Sequence, residues 1–190
     1  MTVAAPRRLL AVTDPARRRV GLAVLLGVVT GIIGGFIKLG WEVPFPPRTP
    51  ERNLTNPPQE VLQQLGFSFD FTHTTVSFNG NEVMIVSLLV HFAFSIFFIG
   101  LYCVLAEKWS QIKLWQGVAY GLLIWVVWHI VLMPALGTIP APWDQPLAEH
   151  SSEATGHAAW LWVAELTRRD LRNRSTHEPD PEVALTAPFR

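Results

Sequence analysis

Charged residues are scarce in this chain, and their scarcity argues against an ordinary soluble domain. Only 16% of its 190 residues are charged and 49% are hydrophobic, whereas about a quarter of the residues of a soluble domain are charged. The formal net charge is zero at pH 7, so the total charge implies neither a nucleic acid nor an acidic partner. The single cysteine, Cys103, excludes an internal disulfide and a cysteine-based zinc site.

Three long apolar segments predict membrane-spanning helices. Each meets the length of about 20 residues that a helix needs to cross the hydrocarbon of a bilayer. The segments are residues 20–41, 83–105 and 115–136. Pro134 lies late in the third segment, where a proline is expected to kink the helix or end it.

A fourth segment, residues 152–167, is apolar but interrupted by Glu153, His157 and Glu165. Such a segment could lie in the membrane interface instead of crossing the bilayer. We interpret it as a crossing because an aromatic run is followed by two arginines, which is typical of a charged stop at a membrane face. These two arginines, Arg168 and Arg169, are also expected to neutralise Glu165.

Lysine and arginine are distributed unevenly around these segments, and the positive-inside rule converts that distribution into a topology. With the N terminus in the cytoplasm, the outer loops contain only two basic residues, Arg48 and Arg52. The predicted fold is therefore an all-α integral membrane four-helix bundle with both termini cytoplasmic. Its parts are a cytoplasmic N-terminal segment 1–19, a membrane domain 20–167 with periplasmic loops 42–82 and 137–151, and a cytoplasmic tail 168–190.

The first outer loop starts with a proline-rich exit after Glu42, which is expected to be extended. A short helix is predicted around Pro58–Gly66, and the rest of the loop is typical of a solvated cap without a catalytic motif. The tail from Ser175 contains prolines and charges that favour an extended segment.

Glycines recur every fourth residue at Gly27, Gly31 and Gly35, and so line one face of the first helix. A face of this kind lets another backbone approach closely. We favour packing within the bundle over a homo-oligomer interface through these three glycines. Gly117 and Gly121 repeat the pattern in the third segment.

Three of the apolar segments each contain one histidine, at His91, His129 and His157. With the topology above, a helical rise of about 1.5 Å per residue places the three residues within a few ångströms of one another in depth. Lys38 lies close to that level at the outer end of the first helix. Ionisable groups are costly in a bilayer and usually mark a function there, so we predict a polar layer in the outer half of the bundle.

Acidic residues are expected to join this layer. Glu149 and Glu153 precede His157 at intervals of four and share one helical face. The first helix also presents a lysine and a glutamate four residues apart, which can pair. The predicted proton-responsive or ligand-binding cluster comprises Lys38, Glu42, His91, His129, Glu149, Glu153 and His157.

The chemistry of this cluster has three interpretations. Histidines change charge at mildly acidic pH, so the cluster could sense or relay protons. Imidazole and carboxylate groups could bind zinc or another divalent metal, but no local pair of ligands has metal-site spacing, so no metal site is predicted. Alternatively, each histidine is neutral and hydrogen-bonded across helices.

Four strings of this sequence are long and unusual, namely Lys38–Arg48, Ile112–Gly117, Ser152–His157 and Arg168–Glu182. They resemble the YagU family of bacterial inner-membrane proteins, a family of unknown function, and the resemblance covers most of the chain except residues 51–82. It implies an inner-membrane location and a part in acid tolerance, with no assigned reaction, substrate or cofactor. The first outer loop departs from the family, since it is shorter here and lacks the cysteines of some relatives.

We therefore expect a multi-pass inner-membrane protein of the YagU type that contributes to acid tolerance through its protonatable cluster. No enzymatic activity, catalytic residue, cofactor or nucleic-acid partner is predicted, and the expected partner is the lipid bilayer. One alternative is a small oligomeric transporter or channel for an ion or small solute, with the polar layer along its pathway. A second alternative is a structural component of a membrane assembly, with the arginine-rich tail as the docking surface.

Overall fold

The computed structural model describes residues 12–180, and most of them are helical. Four helices are long. Between the first and the second of them lie two short helices and a two-stranded hairpin. In chain order the elements are α1 Val20–Glu42, α2 Pro57–Gln64, α3 Phe69–Thr72, β1 Thr75–Phe78, β2 Asn81–Met84, α4 Ile85–Lys108, α5 Val118–Ala135 and α6 Leu147–Thr176.

Within the described residues, three helices are long and apolar enough to cross a membrane, namely α1, α4 and α5. Their outer surfaces carry exposed apolar side chains such as Leu25, Phe97 and Leu123, as expected of helices in contact with lipid. The 30-residue helix α6 is not among the three. Its charged residues lower its hydropathy, but many of them, including Glu153 and Arg168, are buried against the other helices.

The four long helices alternate in direction, as shown by the residues that meet along their lengths. Going along α1, Gly27, Gly31 and Gly35 meet progressively earlier residues of α4, and α6 packs against both α1 and α5. One end of the molecule, the loop end, therefore carries the chain between α1 and α4 and the turn between α5 and α6. The opposite end, the arginine end, carries Arg17–Arg19 and the C-terminal turns of α6.

Residues of α4 fill the groove that the glycines form along one face of α1. A Cβ atom on Gly27 would lie 2.5 Å from the Cα of Gly100, and one on Gly31 would lie 2.6 Å from the Cα of Ile96. Gly35 is covered in the same way by the Phe92 ring. Close packing within the chain therefore occupies this face, as the favoured prediction requires, and a homo-oligomer through the same glycines stays a prediction.

The core between the long helices is fully enclosed near the middle of the molecule. Ile99, Tyr102 and Cys103 of α4 and Leu161 of α6 are all 0% exposed. Trp160 adds its indole to the same cluster and donates a hydrogen bond to Ser95 Oγ at 2.8 Å. Because these side chains interdigitate at this level, the interior is closed between the loop end and the arginine end of the molecule.

The chain between α1 and α4 is ordered by local hydrogen bonds. The predicted short helix is present as α2, where the Asn56 side chain accepts from the backbone N–H of Gln59 and the Gln59 side chain accepts from the N–H of Asn56. Asn79 and Gly80, both with positive φ, form the turn between β1 and β2. The hairpin was not predicted, and it explains why α4 begins at Ile85 instead of residue 83.

Helix α5 changes its winding before it ends. After a regular start, Val126–Leu132 is π-helical, and a last helical turn contains Pro134. The prediction that this proline kinks or ends the helix is confirmed, since the helix finishes at Ala135. A proline has no N–H to donate and disfavours a regular ladder in the preceding turn.

Helix α6 is much longer than the predicted segment 152–167. It starts at Leu147 and continues to Thr176, so residues 168–176 of the expected tail are helical. The prediction of an extended segment from Ser175 is corrected as far as residue 180, because the helix includes residues 175 and 176 and Asp180 is buried at 5% exposure. Residues 1–11 and 181–190 of the predicted terminal segments lie outside the described residues.

Candidate functional site

Glu153 is the centre of an ionic layer at the loop end. Its Oε2 atom lies 2.9 Å from Lys38 Nζ, 3.5 Å from His129 Nε2 and 3.7 Å from His157 Nδ1. Its other oxygen, Oε1, accepts a hydrogen bond from Arg48 Nη2 at 3.0 Å. One carboxylate from α6 is therefore shared by α1, α5 and the chain that leaves α1.

The two cations on Glu153 are held differently. Lys38 lies on α1 with 8% of its side chain exposed, and it also donates to Glu42 Oε1 at 2.6 Å, which confirms the predicted pairing of these two residues. Arg48 follows the prolines after α1, outside any helix, and 14% of its side chain is exposed. Lys38 therefore has a second carboxylate partner, whereas Arg48 has the amide of Asn53 at 3.4 Å.

His129 faces Glu153 from the π-helical part of α5. A π-helical turn is rare and frequently occurs at functional sites. Within residues 12–180 no hydrogen bond holds the His129 ring, and 14% of the side chain is exposed. This imidazole is therefore available to accept a proton or a ligand from the adjoining space.

His157 packs against His129, with 5.0 Å between the ring centroids. Its Nδ1–H donates to the backbone carbonyl of Glu153 at 2.8 Å, one helical turn earlier, and the residue is buried at 4% exposure. His91 is placed apart from this pair. Its Nε2–H donates to the carbonyl of Gly35 at 3.0 Å, so two of the three predicted histidines converge on Glu153 and the third does not.

Glu149 belongs to the edge of the layer. It is buried at 6% exposure and pairs with Arg52 instead of contacting the histidines. Arg48 and Arg52 were not predicted as site residues, although both now bind a carboxylate of α6. One feature of the sequence could have identified them, since they are the only lysine or arginine residues between residues 42 and 82.

A cavity of about 390 Å³ adjoins the layer and is partly open. Lys38, Arg48, His91, His129 and Glu153 line one part of it. Aromatic and apolar side chains, including Phe94, Trp128 and Met133, line another part. The layer is therefore accessible to water, protons or a small solute from the loop end.

Three residues of the layer have the chemistry of metal ligands. His129, Glu153 and His157 each offer a ligand atom, and these atoms lie within 4.8 Å of one another. However, the ammonium group of Lys38 already contacts the same Glu153 oxygen at 2.9 Å. A divalent cation would have to displace this lysine, so the geometry suits protons better than a metal.

The arginine end holds a second ionic cluster, of which the sequence predicts only the pairing of Glu165 with an arginine. Arg168 and Arg172 of α6 are each 1% exposed. Arg168 binds Glu165 at 2.6 Å and also Asp180, while Arg172 binds Glu107 of α4. The prediction that Arg168 would neutralise Glu165 is confirmed, but as buried ion pairs neither arginine is available as a docking surface.

Asp180 closes this cluster from the C-terminal side. Lys113 Nζ donates to its Oδ2 at 2.7 Å, and Arg168 contacts the same oxygen. Burial by itself raises the pKa of Asp180, but the positive charges of Arg168 and Lys113 outweigh burial and hold that pKa below its ordinary value. Asp180 therefore stays ionised in the folded protein at neutral and mildly acidic pH.

Comparison with known proteins identifies the family. The DUF1440 family, described as a protein of unknown function, matches residues 32–166. The inner membrane protein YagU of Escherichia coli (strain K12) is 40% identical to the chain over 196 residues, covering 91% of this chain and 95% of YagU. No solved structure matches the chain. The chain therefore belongs to the DUF1440 family and is a multi-pass inner-membrane protein similar to YagU.

Proposed function

We propose that the loop end faces the periplasm and that the Glu153 layer responds to protons there, contributing to acid tolerance. The orientation is supported by the basic residues, which concentrate at the arginine end and would lie in the cytoplasm by the positive-inside rule. Acid tolerance is the property that the resemblance to the YagU family implies. The single observation that carries the proposal is the convergence of two imidazoles on Glu153 beside an open cavity.

In this proposal α6 is the fourth crossing and completes a four-helix bundle. Its direction is opposite to that of α1 and α5, as a fourth crossing requires. Its charged side chains at Glu153, Glu165 and Arg168 are buried in contacts with other parts of the chain. A helix whose charges are paired internally can lie within a bilayer despite a low hydropathy.

The charge of the layer favours a response to protons. Among the described residues, its carboxylates and its lysine and arginine side chains are equal in number, so the layer is neutral while its imidazoles are neutral. A proton on His129 adds a positive charge where two cations already face Glu153. The groups that face His129 are Lys38 from α1, Arg48 from the loop, and Glu153, His157 and His150 from α6.

A charged His129 competes with Arg48 for Glu153. Lys38 is held by two carboxylates and by a helix, whereas Arg48 is held by one carboxylate and lies on a loop. Arg48 is therefore the more weakly held cation, and a charged His129 displaces it from Glu153. Release of Arg48 frees the loop after α1 and widens the cavity, which is a two-state change biased by protonation.

Cysteine labelling can test this opening. Ser87 lines the cavity, is 9% exposed, and donates to Asn56 Oδ1 at 2.7 Å, so a Ser87→Cys reporter senses movement of the loop. Cys103, which is buried, is replaced by alanine to leave a single thiol. We expect labelling by a polar thiol reagent, corrected for the smaller thiolate fraction at lower pH, to accelerate as the pH falls from neutral into the acidic range.

His129→Gln in the same background should abolish that acceleration and leave the rate at neutral pH nearly unchanged. The matched control is His177→Gln, because His177 is an exposed histidine at the arginine end. It should retain the full response. Equal responses in the two variants would contradict the proposal.

The cavity also favours a second candidate function, a small oligomeric transporter. The cavity itself supports binding of a solute of modest size. Beneath it, however, Ile99, Tyr102 and Leu161 are fully buried. A pathway would therefore have to run between copies of the chain or require the core to open, and solute flux in proteoliposomes would distinguish this candidate from a proton-responsive protein.

A further inference from the structure

The stretch between α2 and α4 exposes large apolar side chains although it lies outside the candidate membrane spans. Leu65, Phe69 and Phe78 are 71%, 59% and 66% exposed. We call the exposed set the aromatic patch, and it consists of Leu65, Phe67, Phe69, Phe71, Val76 and Phe78. Several large exposed apolar side chains on one short segment mark an interaction surface.

Hydrogen bonds to the backbone occupy some of the polar side chains of this stretch and of α2. The Ser68 hydroxyl accepts from the backbone N–H of Phe71, and the Gln59 side chain donates to the carbonyl of Thr72. From residue 65 to residue 81 the only charged side chain is Asp70. Aromatic side chains with few charges are typical of segments at a membrane interface.

Hydrogen bonds fix this stretch to the ends of two membrane-spanning helices. The backbone N–H of Ile85, the first residue of α4, donates to the carbonyl of Thr74 at 3.2 Å. At the end of α5, Gln64 donates to the carbonyl of Leu136 at 3.2 Å. Leu136 is itself 58% exposed and Gln64 directly precedes Leu65, so the exposed apolar residues at the end of α5 lie beside the start of the aromatic patch.

We propose that the aromatic patch rests in the interface of the bilayer at the loop end, with its side chains among the lipid headgroups and upper acyl chains. The partner is the lipid surface, because the patch lies beside the exposed apolar residues at the end of α5, at the height where the spans end. The patch has almost no charge with which to select a protein partner. On its other side, Pro57 and Val61 of α2 line the cavity, so a cavity wall would be anchored to the membrane.

Site-directed spin labelling can measure the position of the patch in the full chain. Phe69→Cys and Phe78→Cys are made in the Cys103→Ala background, labelled with a nitroxide and reconstituted into phosphatidylethanolamine–phosphatidylglycerol vesicles. Oxygen concentrates in the bilayer and a nickel chelate in water. We expect collisions with oxygen to exceed collisions with the nickel chelate at both positions.

The control is Glu82→Cys on β2. Glu82 pairs with Ser77, and both lie on the hairpin face opposite Val76 and Phe78. Collisions with the nickel chelate should dominate there. Dominance of the nickel chelate at residues 69 and 78 as well would overturn the proposal, and so would protection of both positions from both reagents, which would indicate a covering protein or a second copy of the chain. Either result leaves the proton response of Glu153 untouched.

Discussion

The ionic clusters at the two ends of this protein have the same balance of charges but differ in what surrounds them. Among the described residues, each cluster joins three carboxylates to three lysine or arginine side chains. These are Glu42, Glu149, Glu153, Lys38, Arg48 and Arg52 at the loop end, and Glu107, Glu165, Asp180, Lys113, Arg168 and Arg172 at the arginine end. Charge balance therefore does not decide whether an ionic cluster is fixed or adjustable.

The difference lies in packing and in titratable neighbours. At the arginine end, Arg168 and Arg172 are almost inaccessible and join α6 to α4 and to the chain beyond α6. At the loop end, Glu153 faces two imidazoles and a cavity, and one of its cations lies on a loop. We call the ionic cluster at the arginine end the fixed closure, because packing encloses it. We call the Glu153 layer at the loop end the adjustable site, because one of its cations lies on a loop beside a cavity.

The largest expected effect comes from breaking the fixed closure. Arg168→Met leaves Glu165 and Asp180 buried without their main partner, and removal of one member of a buried ion pair costs about 3–5 kcal/mol. The measurement is the free energy of unfolding in mixed detergent micelles. Arg174→Met is the control, since its pair with Asp170 is highly exposed and such pairs contribute no more than about 1 kcal/mol. A similar loss of unfolding free energy in both variants would contradict the claim that the ionic cluster at the arginine end stabilises the fold.

The sequence predicted the positions of the helices better than it predicted which residues contact one another between them. The runs that became α1, α4 and α5 are visible because lipid-facing helices need continuous apolar residues. The level shared by His129 and His157 followed from helical rise along two segments. The Asn79-Gly80 dipeptide is typical of a hairpin turn, but the apolar run that follows it predicts a helix that starts too early, at residue 83.

Other features had no local pattern to reveal them. Arg172 meets Glu107 across 65 positions of sequence, and no spacing rule connects residues on separate helices. The arginines of α6 resemble a topology signal, so their burial becomes evident only once the partner carboxylates are placed. His91 lies at the predicted depth but on a face where the Gly35 carbonyl is nearer than Glu153, because depth alone does not fix rotation about the helix axis.

An intermediate effect is expected from breaking the adjustable site. Glu153→Gln removes the shared carboxylate, but Lys38 keeps Glu42 and Arg48 can turn toward the open cavity. The loss of unfolding free energy should therefore be about 1–3 kcal/mol, as for a buried polar group that loses one hydrogen-bond partner. The Ser87→Cys reporter in this variant should label quickly already at neutral pH and show no further increase on acidification. A slow, pH-dependent rate would mean that Glu153 does not hold the loop.

The smallest effect should be the response of the arginine end to mild acid. The pKa of Asp180 is held below its ordinary value of 3.8, so its contribution to stability is fully present above that value and is lost as pH falls through the lower, folded-state pKa. The destabilisation caused by Asp180→Asn should therefore be constant from about pH 7 to pH 5, the range in which histidines titrate. Unfolding free energies of the parent and the variant at several pH values measure this. A cost that shrinks across the same range would mean that both ends titrate together, and the loop end would then lose its distinction as the proton-responsive site.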